Sequence, residues 1–146
     1  MKLTHLLTIH AILALGFGIA FALYAPLMIA FFGVPELPEG NILLYWNVAS
    51  FARMFGAALF GLGILLWAIR GLVENRKTPP EAVRGVIFAL LIANAMSVFV
   101  AATQQMAVWL SPAGWMAIVI FAILSLAYIY FLVSIQGGSE ISKRTT

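Results

Sequence analysis

The sequence contains no cysteine among its 146 residues. Disulfide bonds, thiolate metal sites and thiol-based redox relays all need cysteine sulfur. The absence therefore excludes the membrane enzymes that generate disulfides with the help of a quinone.

Acidic residues are scarce as well. Aspartate is absent, and all five glutamates lie outside the long apolar segments. A four-span proton-coupled drug exporter relies on a carboxylate inside the membrane, so this class is excluded too. We find no paired carboxylates, nucleophile–base set or phosphate-binding loop, and His5 and His10 share one segment, so they cannot hold a haem from two sides within one chain. The sequence predicts a non-enzymatic protein with no metal site and no cofactor.

Charged residues of either sign make up only 9% of the chain, whereas 64% of it is hydrophobic. Soluble domains carry about 25% charged residues. Four apolar segments, at about 6–32, 42–69, 85–109 and 115–135, each exceed the roughly 20 residues that cross a bilayer core as a helix. The sequence therefore predicts an all-α fold, an antiparallel bundle of four transmembrane helices over residues 1–135, followed by a polar cytoplasmic tail at 136–146.

Basic residues predict the orientation of this bundle. Seven of the eight fall on one side of the predicted membrane: Lys2, Arg70, Arg76, Lys77, Arg84, Lys143 and Arg144. The positive-inside rule places that side, with both termini, in the cytoplasm. We therefore expect a multi-pass protein of the cytoplasmic (inner) membrane. The net charge of +3 follows from this topology and indicates no nucleic-acid partner.

The first apolar segment allows a second interpretation. Residues 1–22 end in Ala20-Phe21-Ala22, which fits the small-x-small pattern of a signal-peptide cleavage site. Its apolar stretch is longer than the roughly 7–15 residues of a typical signal peptide, so we expect an uncleaved span. Within this segment Pro26 lacks the N–H that the helix ladder needs, which predicts a kink or a break.

Small residues mark the faces on which membrane helices pack. They recur at helical spacing in three of the segments: Ala14, Gly18 and Ala22; Ala49, Ala57 and Gly61; and Ala89, Ala93, Ser97 and Ala101. Arg53 falls within the second set, so we expect it to point into the bundle rather than at lipid. Ser111 and Pro112 predict a tight turn that makes the last two spans neighbours, and Tyr128 and Tyr130 are expected in the inner aromatic belt.

Arg53 is the first candidate for a functional residue, because ionisable residues inside a membrane are functional candidates by default. Its side chain leans toward the start of its helix and can reach Glu36 or Glu39 in the preceding loop. One interpretation is a structural arginine that pairs with a loop carboxylate, backbone carbonyls or a lipid phosphate. The other is an anchor for an anionic or carbonyl-bearing ligand.

Five further residues complete the predicted ligand-binding set: Gln105, Gln104, Tyr24, Asn94 and His10. Gln105 continues the face of Ser97 and Ala101 and is the expected partner of Arg53, although both glutamines also suit hydrogen bonds with lipid headgroups. Asn94 near mid-membrane and His10 in the inner half either join helices through hydrogen bonds or contact a ligand.

Four stretches of the sequence carry a family resemblance. They are IHAILALGFGIAFALYAP, FGVPE, ARMFGAALFGLGILLW and AGWMAIVIFAILSLAYIYF, and the resemblance covers most of the chain up to Ile135. In these stretches the chain resembles small bacterial four-helix membrane proteins of the DoxX-like and neighbouring families. The resemblance implies a four-helix bundle with a family pattern at Arg53, Gly56 and Gly61. Some DoxX-type proteins are subunits of quinone-linked redox complexes, but the residues themselves predict no quinone site.

Two functions follow from these observations. The first is an accessory, scaffold or assembly subunit of the bacterial cytoplasmic membrane, which packs against a second copy or against a partner in a membrane complex. The alternative is a binder or carrier of a small amphipathic molecule, such as a lipid, a quinone or an organic anion, in a pocket near Arg53, Tyr24 and Gln105. The lipid bilayer is the expected partner in both cases.

Overall fold

A computed structural model describes residues 2–34, 42–74 and 79–144, with the side chains among them up to residue 134. Over these ranges the chain forms five helices and no strand: α1 (Leu3–Leu23), α2 (Ala25–Phe31), α3 (Ile42–Glu74), α4 (Pro80–Ala107) and α5 (Ala113–Arg144). Four helical stretches are long and apolar enough to cross a membrane, namely α1, α3, α4 and the Ala113–Ser134 part of α5. The all-α prediction is confirmed, and these four helices suit a multi-pass membrane protein.

The first apolar segment is two helices rather than one span over 6–32. They meet at Tyr24, whose backbone leaves helical geometry (φ −119°, ψ 37°). Pro26 lies in the first turn of α2, where a missing N–H costs no hydrogen bond. The break predicted from Pro26 is confirmed. With its 21 residues, α1 alone is about 30 Å long and matches the hydrocarbon thickness of a bilayer.

The helices associate as two pairs. α1 packs along α3 and α4 packs along α5, whereas α1 and α5 touch over a short stretch only. The α4–α5 contact confirms that the turn at Ser111 and Pro112 joins neighbouring helices. In the first pair, a Cβ added at Gly18 would lie 2.6 Å from the backbone nitrogen of Phe60. Glycine is required here because any side chain would push the two backbones apart.

The packing face of α3 differs from the predicted one. Its buried residues are Ala49, Gly56, Gly63 and Leu66. Arg53, Ala57 and Gly61 are exposed. A spacing of four residues rotates by about 40° per step around a helix, whereas a spacing of seven returns almost to the same side. The glycines at 56 and 63 follow the second spacing, so the expectation that Arg53 points into the bundle is wrong.

The predicted packing face is confirmed for α1 and confirmed in part for α4. Ala14 and Gly18 are buried and Ala22 is half-buried, which confirms the face of α1. On α4, Ala101 is buried and Ser97 half-buried, but Ala89 and Ala93 are exposed. The first half of α4 packs through larger residues instead, Ile87 and Leu90.

One end of the bundle, called the α2 end below, is closed by contacts between the two pairs. The backbone N–H of Leu110 donates a hydrogen bond of 3.2 Å to the carbonyl of Gly33. Gly33 itself has φ +64°, a conformation that favours glycine, and lies against Ser111. Beside it the rings of Phe32 and Trp109 pack with their centroids 4.7 Å apart. These contacts attach the end of α2 to the connection between α4 and α5.

Candidate functional site

The two helix pairs pack together through a buried apolar cluster with side chains from α1, α3, α4 and α5, and α1 and α5 meet along a seam. Away from the α2 end, the seam is joined by a hydrogen bond of 2.9 Å between Nδ1 of His10 and the hydroxyl of Tyr128. Both side chains are buried, with 5% of His10 and none of Tyr128 exposed. The other side-chain hydrogen bonds in the described part of the chain stay within one helix or its adjoining turn. Among the described residues, this pair therefore supplies the side-chain hydrogen bond between the two halves of the bundle.

A cleft of about 520 Å³ lies in the seam. It is lined by residues of three helices, Ile12, Leu13, Gly16, Phe17 and Ala20 of α1, Leu27, Met28, Ala30 and Phe31 of α2, and Met116 of α5. Along α1 these residues fall between His10 and the break at Tyr24, so the cleft lies between the two joints of the seam. The cleft is open to the outside of the bundle, because Ile12, Leu27 and Phe31 in its lining are each about half exposed or more. We call it the seam cleft.

The break at Tyr24 contributes to the shape of the seam cleft. In one unbroken helix Ile12 and Phe31 would stand about 28 Å apart along the axis. In the structure both residues line the same cleft. The proline that interrupts the first apolar segment thus brings a second, short helix to the cleft.

Every side chain that lines the seam cleft is apolar. A polar group buried without a hydrogen-bond partner costs free energy. The cleft therefore suits hydrocarbon and offers no recognition of a charged or hydrogen-bonding group.

Two amide side chains of α4 each have a buried oxygen without a hydrogen-bond partner among the described residues. Asn94 is 2% exposed, and its Nδ2 donates 2.7 Å to the carbonyl of Leu90 in the same helix. Gln105 is half-buried, donates weakly to the carbonyl of Trp109 at 3.5 Å and lies against Gly114 of α5. The bond of Asn94 stays within its own helix, so it does not link helices as expected.

Arg53 lies apart from this seam. Its guanidinium carbon is 5.8 Å from the ring centroid of Trp46, an arrangement typical of a cation–π contact. The expected contact with Gln105 is not formed, because Gln105 lies in the α4–α5 interface. Tyr24 is exposed and Gln104 is half-buried. Neither residue lines the seam cleft, nor a smaller cavity of about 60 Å³ between α1, α3 and α4.

The loop carboxylates proposed as partners of Arg53, Glu36 and Glu39, lie outside the described residues. His10 does not line the seam cleft, but its expected inward orientation is confirmed. A role for any of the six residues in ligand binding stays a prediction. Within the described ranges, no group of three His, Cys, Asp or Glu side chains could hold a metal ion.

Tyr128 is a residue that the sequence interpretation missed. It was expected beside Tyr130 in an interfacial belt, but Tyr128 is fully buried while Tyr130 is 61% exposed. A signal was present, because Leu124, Tyr128 and Phe131 follow the i, i+4, i+7 spacing of one helical face. In a helix that is apolar on all sides, however, several faces carry such a pattern.

Comparison with known proteins found no match among protein-family models, curated proteins or solved structures. The resemblance to the DoxX-like and neighbouring families therefore stays a prediction.

Proposed function

We propose that the protein is a membrane-integral binding protein that takes the hydrocarbon chain of an amphipathic molecule from the bilayer into the seam cleft. The observation that carries this proposal is a cleft of about 520 Å³ whose lining is apolar throughout. Such a lining fits an acyl chain or the isoprenoid tail of a quinone, because neither needs a hydrogen bond. The polar end of the ligand stays outside the cleft.

Two contacts hold the helix pairs together on either side of the cleft, which supports a cleft that exists before the ligand binds. The bond between His10 and Tyr128 holds one end, and the contact between Phe32 and Trp109 holds the other. Between them α1 and α5 touch little. Ligand pockets are usually formed largely in advance, which lowers the entropic cost of binding.

The proposal includes an orientation in the cytoplasmic membrane, with both termini in the cytoplasm and the helices antiparallel. The positive-inside distribution of basic residues supports the orientation. The contacts of α1 and α3 support an antiparallel arrangement of these two helices. Gly56 contacts Ala22, whereas Gly63, which comes later in α3, contacts Leu15, which comes earlier in α1. In this orientation the seam cleft lies in the extracytoplasmic half of the membrane.

Filling the cleft tests the proposal. Gly16 lines the cleft, and no atom lies within 4 Å of the position that its Cβ would take, so Gly16→Leu should fold and occupy the cleft. Gly85→Leu is the matched control, because Gly85 has the same free space but lies in α4 away from the cleft. The probe is 9,10-dibromostearic acid, whose binding is measured by native mass spectrometry of the purified full chain.

We expect the wild-type protein and Gly85→Leu to bind the probe with equal affinity and Gly16→Leu to lose it. Equal binding by all three proteins would contradict the assignment of the cleft. A thermal-unfolding measurement on each variant checks that a loss of binding does not come from a loss of the fold.

The accessory or scaffold role is a second candidate, and a separate observation favours it. Ala57 and Gly61 on α3, and Ala89 and Ala93 on α4, are small residues that point away from the bundle. Small residues on an outer face let another membrane helix approach closely. This role predicts an oligomer or a stoichiometric membrane partner that is released by Gly61→Leu combined with Ala89→Leu. A wild-type protein that is monomeric and without a protein partner in lipid nanodiscs would exclude it.

A further inference from the structure

The outward face of α3 carries one cation within an apolar surface. Trp46, Ser50, Arg53 and Ala57 follow one another at intervals of four, three and four residues, so they share one side of the helix. All four are exposed. The guanidinium of Arg53 lies over the ring of Trp46, and the hydroxyl of Ser50 donates 2.8 Å to the Trp46 carbonyl. Large apolar side chains surround this stripe, among them Phe51, Met54 and Phe55.

The depth of Arg53 follows from the contacts of its neighbour. Gly56 lies against Ala22, close to the end of α1. Arg53 precedes Gly56 by three residues and is therefore about 4.5 Å nearer to the α2 end, level with Tyr24. When α1, whose length matches the hydrocarbon thickness, is placed across the hydrocarbon, this level is the boundary between hydrocarbon and headgroups. The phosphate groups of phospholipids lie next to that boundary.

A guanidinium that borders hydrocarbon is stabilised by a nearby anion. Arg70, which lies over Trp67 near the other end of α3, has one, because Glu74 is 3.4 Å away in the same helix. The carboxylates with described side chains, Glu74 and Glu81, both lie at that other end. For Arg53 an anion comes either from the lipid or from Glu36 and Glu39 in the preceding loop.

We propose that this face of α3 binds the phosphodiester group of a phospholipid, with Arg53 as its anchor. A guanidinium can donate two parallel N–H bonds to two oxygens of one phosphate, which gives both charge and direction. Further along the same side, Ala57 and Gly61 leave room for an acyl chain, and no atom lies within 4 Å of the Cβ position of Gly61. The face shares no residue with the seam cleft, so the inference does not rest on hydrocarbon binding in that cleft.

The test is the affinity of the purified full chain for dioleoyl-phosphatidylglycerol, measured by native mass spectrometry. Arg53→Gln removes the guanidinium, and Arg84→Gln removes the same charge from an exposed position at the opposite end of the bundle. We expect Arg53→Gln to weaken the tightest lipid site about tenfold or more. Arg84→Gln should leave that site unchanged, and an equal loss in both variants would overturn the proposal because it would reflect net charge alone.

Two further experiments distinguish a lipid phosphate from the other anions that Arg53 could bind, the loop carboxylates and free phosphate. The double variant Glu36→Gln, Glu39→Gln removes both loop carboxylates and should still bind the lipid. Adding Arg53→Gln to this double variant should weaken lipid binding as it does in the wild-type protein. If Arg53→Gln has no effect on lipid binding, the loop carboxylates are its partners and the proposal is wrong. Excess inorganic phosphate should compete poorly with the lipid. Full displacement by inorganic phosphate would assign the site to free phosphate instead.

Arg53→Lys keeps the inference testable if Arg53→Gln does not fold. The lysine retains the charge but lacks the planar fork that binds two oxygens at once. Lipid binding should then be several-fold weaker than in the wild-type protein. Unchanged binding would overturn the role of the guanidinium.

Discussion

His10 in α1 and Tyr128 in α5 form the side-chain hydrogen bond that joins the two helix pairs, with 2.9 Å between Nδ1 and the hydroxyl oxygen. Their rings are tilted by 54° with centroids 5.9 Å apart. Because both residues are buried, neither partner can turn to water if the other is removed. The pair holds α1 against α5 together with the apolar side chains packed around it, among them Leu7 and Leu124.

Removing the hydroxyl of Tyr128 should destabilise the fold. Tyr128→Phe leaves the ring in place but leaves Nδ1 of His10 without its partner, at an expected cost of about 1–2 kcal/mol in the free energy of unfolding. The measurement is unfolding by dodecyl sulfate in mixed micelles. Tyr130→Phe is the control, because Tyr130 is exposed and should change the unfolding free energy little.

A double variant separates the bond from the packing of the rings. His10→Phe combined with Tyr128→Phe removes both polar groups and should cost less than the sum of the two single changes. Additive costs would show that the two side chains contribute independently.

Gly56 should tolerate no side chain, whereas Gly61 in the same helix should. A Cβ at Gly56 would collide with the backbone of α1 at Ala22, while one at Gly61 meets no atom within 4 Å. We expect Gly56→Ala to destabilise the protein by about 1–3 kcal/mol through overpacking. Gly61→Ala should be neutral or stabilising by up to about 1 kcal/mol, because alanine favours the helix. Equal effects on thermal unfolding would refute the assigned α1–α3 contact.

Gly33→Ala should loosen the α2 end of the bundle. A left-handed backbone costs an L-residue about 1–2 kcal/mol, and at φ +64° the added Cβ would also press on Ser111. Hydrogen exchange should then speed up at the amide of Leu110, which donates to Gly33. Gly71→Ala is the control, since Gly71 has open space and a helical backbone. Unchanged hydrogen exchange in Gly33→Ala would contradict the contact between Gly33 and Leu110.

Asn94→Leu should be nearly neutral for stability. The Oδ1 of Asn94 has no partner among the described residues, and its Nδ2 donates to a carbonyl of its own helix, which stays bonded in the helix ladder. An apolar side chain of similar branching removes an unsatisfied buried oxygen. A loss of more than about 2 kcal/mol in the unfolding free energy would show that Oδ1 has a partner, such as a buried water molecule or a ligand.

The site illustrates which inferences sequence can support. His10 could be expected to face inward, because it stands on a line with Ala14 and Gly18 and that line is the packing face of α1. Its partner could not be found in this way, since Tyr130 has the same spacing to Leu126 and Val133 as Tyr128 has to Leu124 and Phe131. Arg53 was assigned to the wrong side of α3 because Ala57 and Gly61 define a small-residue stripe just as Gly56 and Gly63 do.

The sequence alone determined the helical class, the number of long apolar helices and the break near Pro26. These properties depend on local chemistry: a bilayer requires backbone groups to be satisfied within a helix, and proline lacks one of those groups. Only the tertiary structure decided which face of each helix packs and where the seam cleft lies. In a soluble helix the polar face would mark the outside, but here lipid-facing and buried sides are equally apolar. Several small-residue faces are therefore equivalent in the sequence, and close tertiary contacts such as that of Gly56 with Ala22 show which face packs.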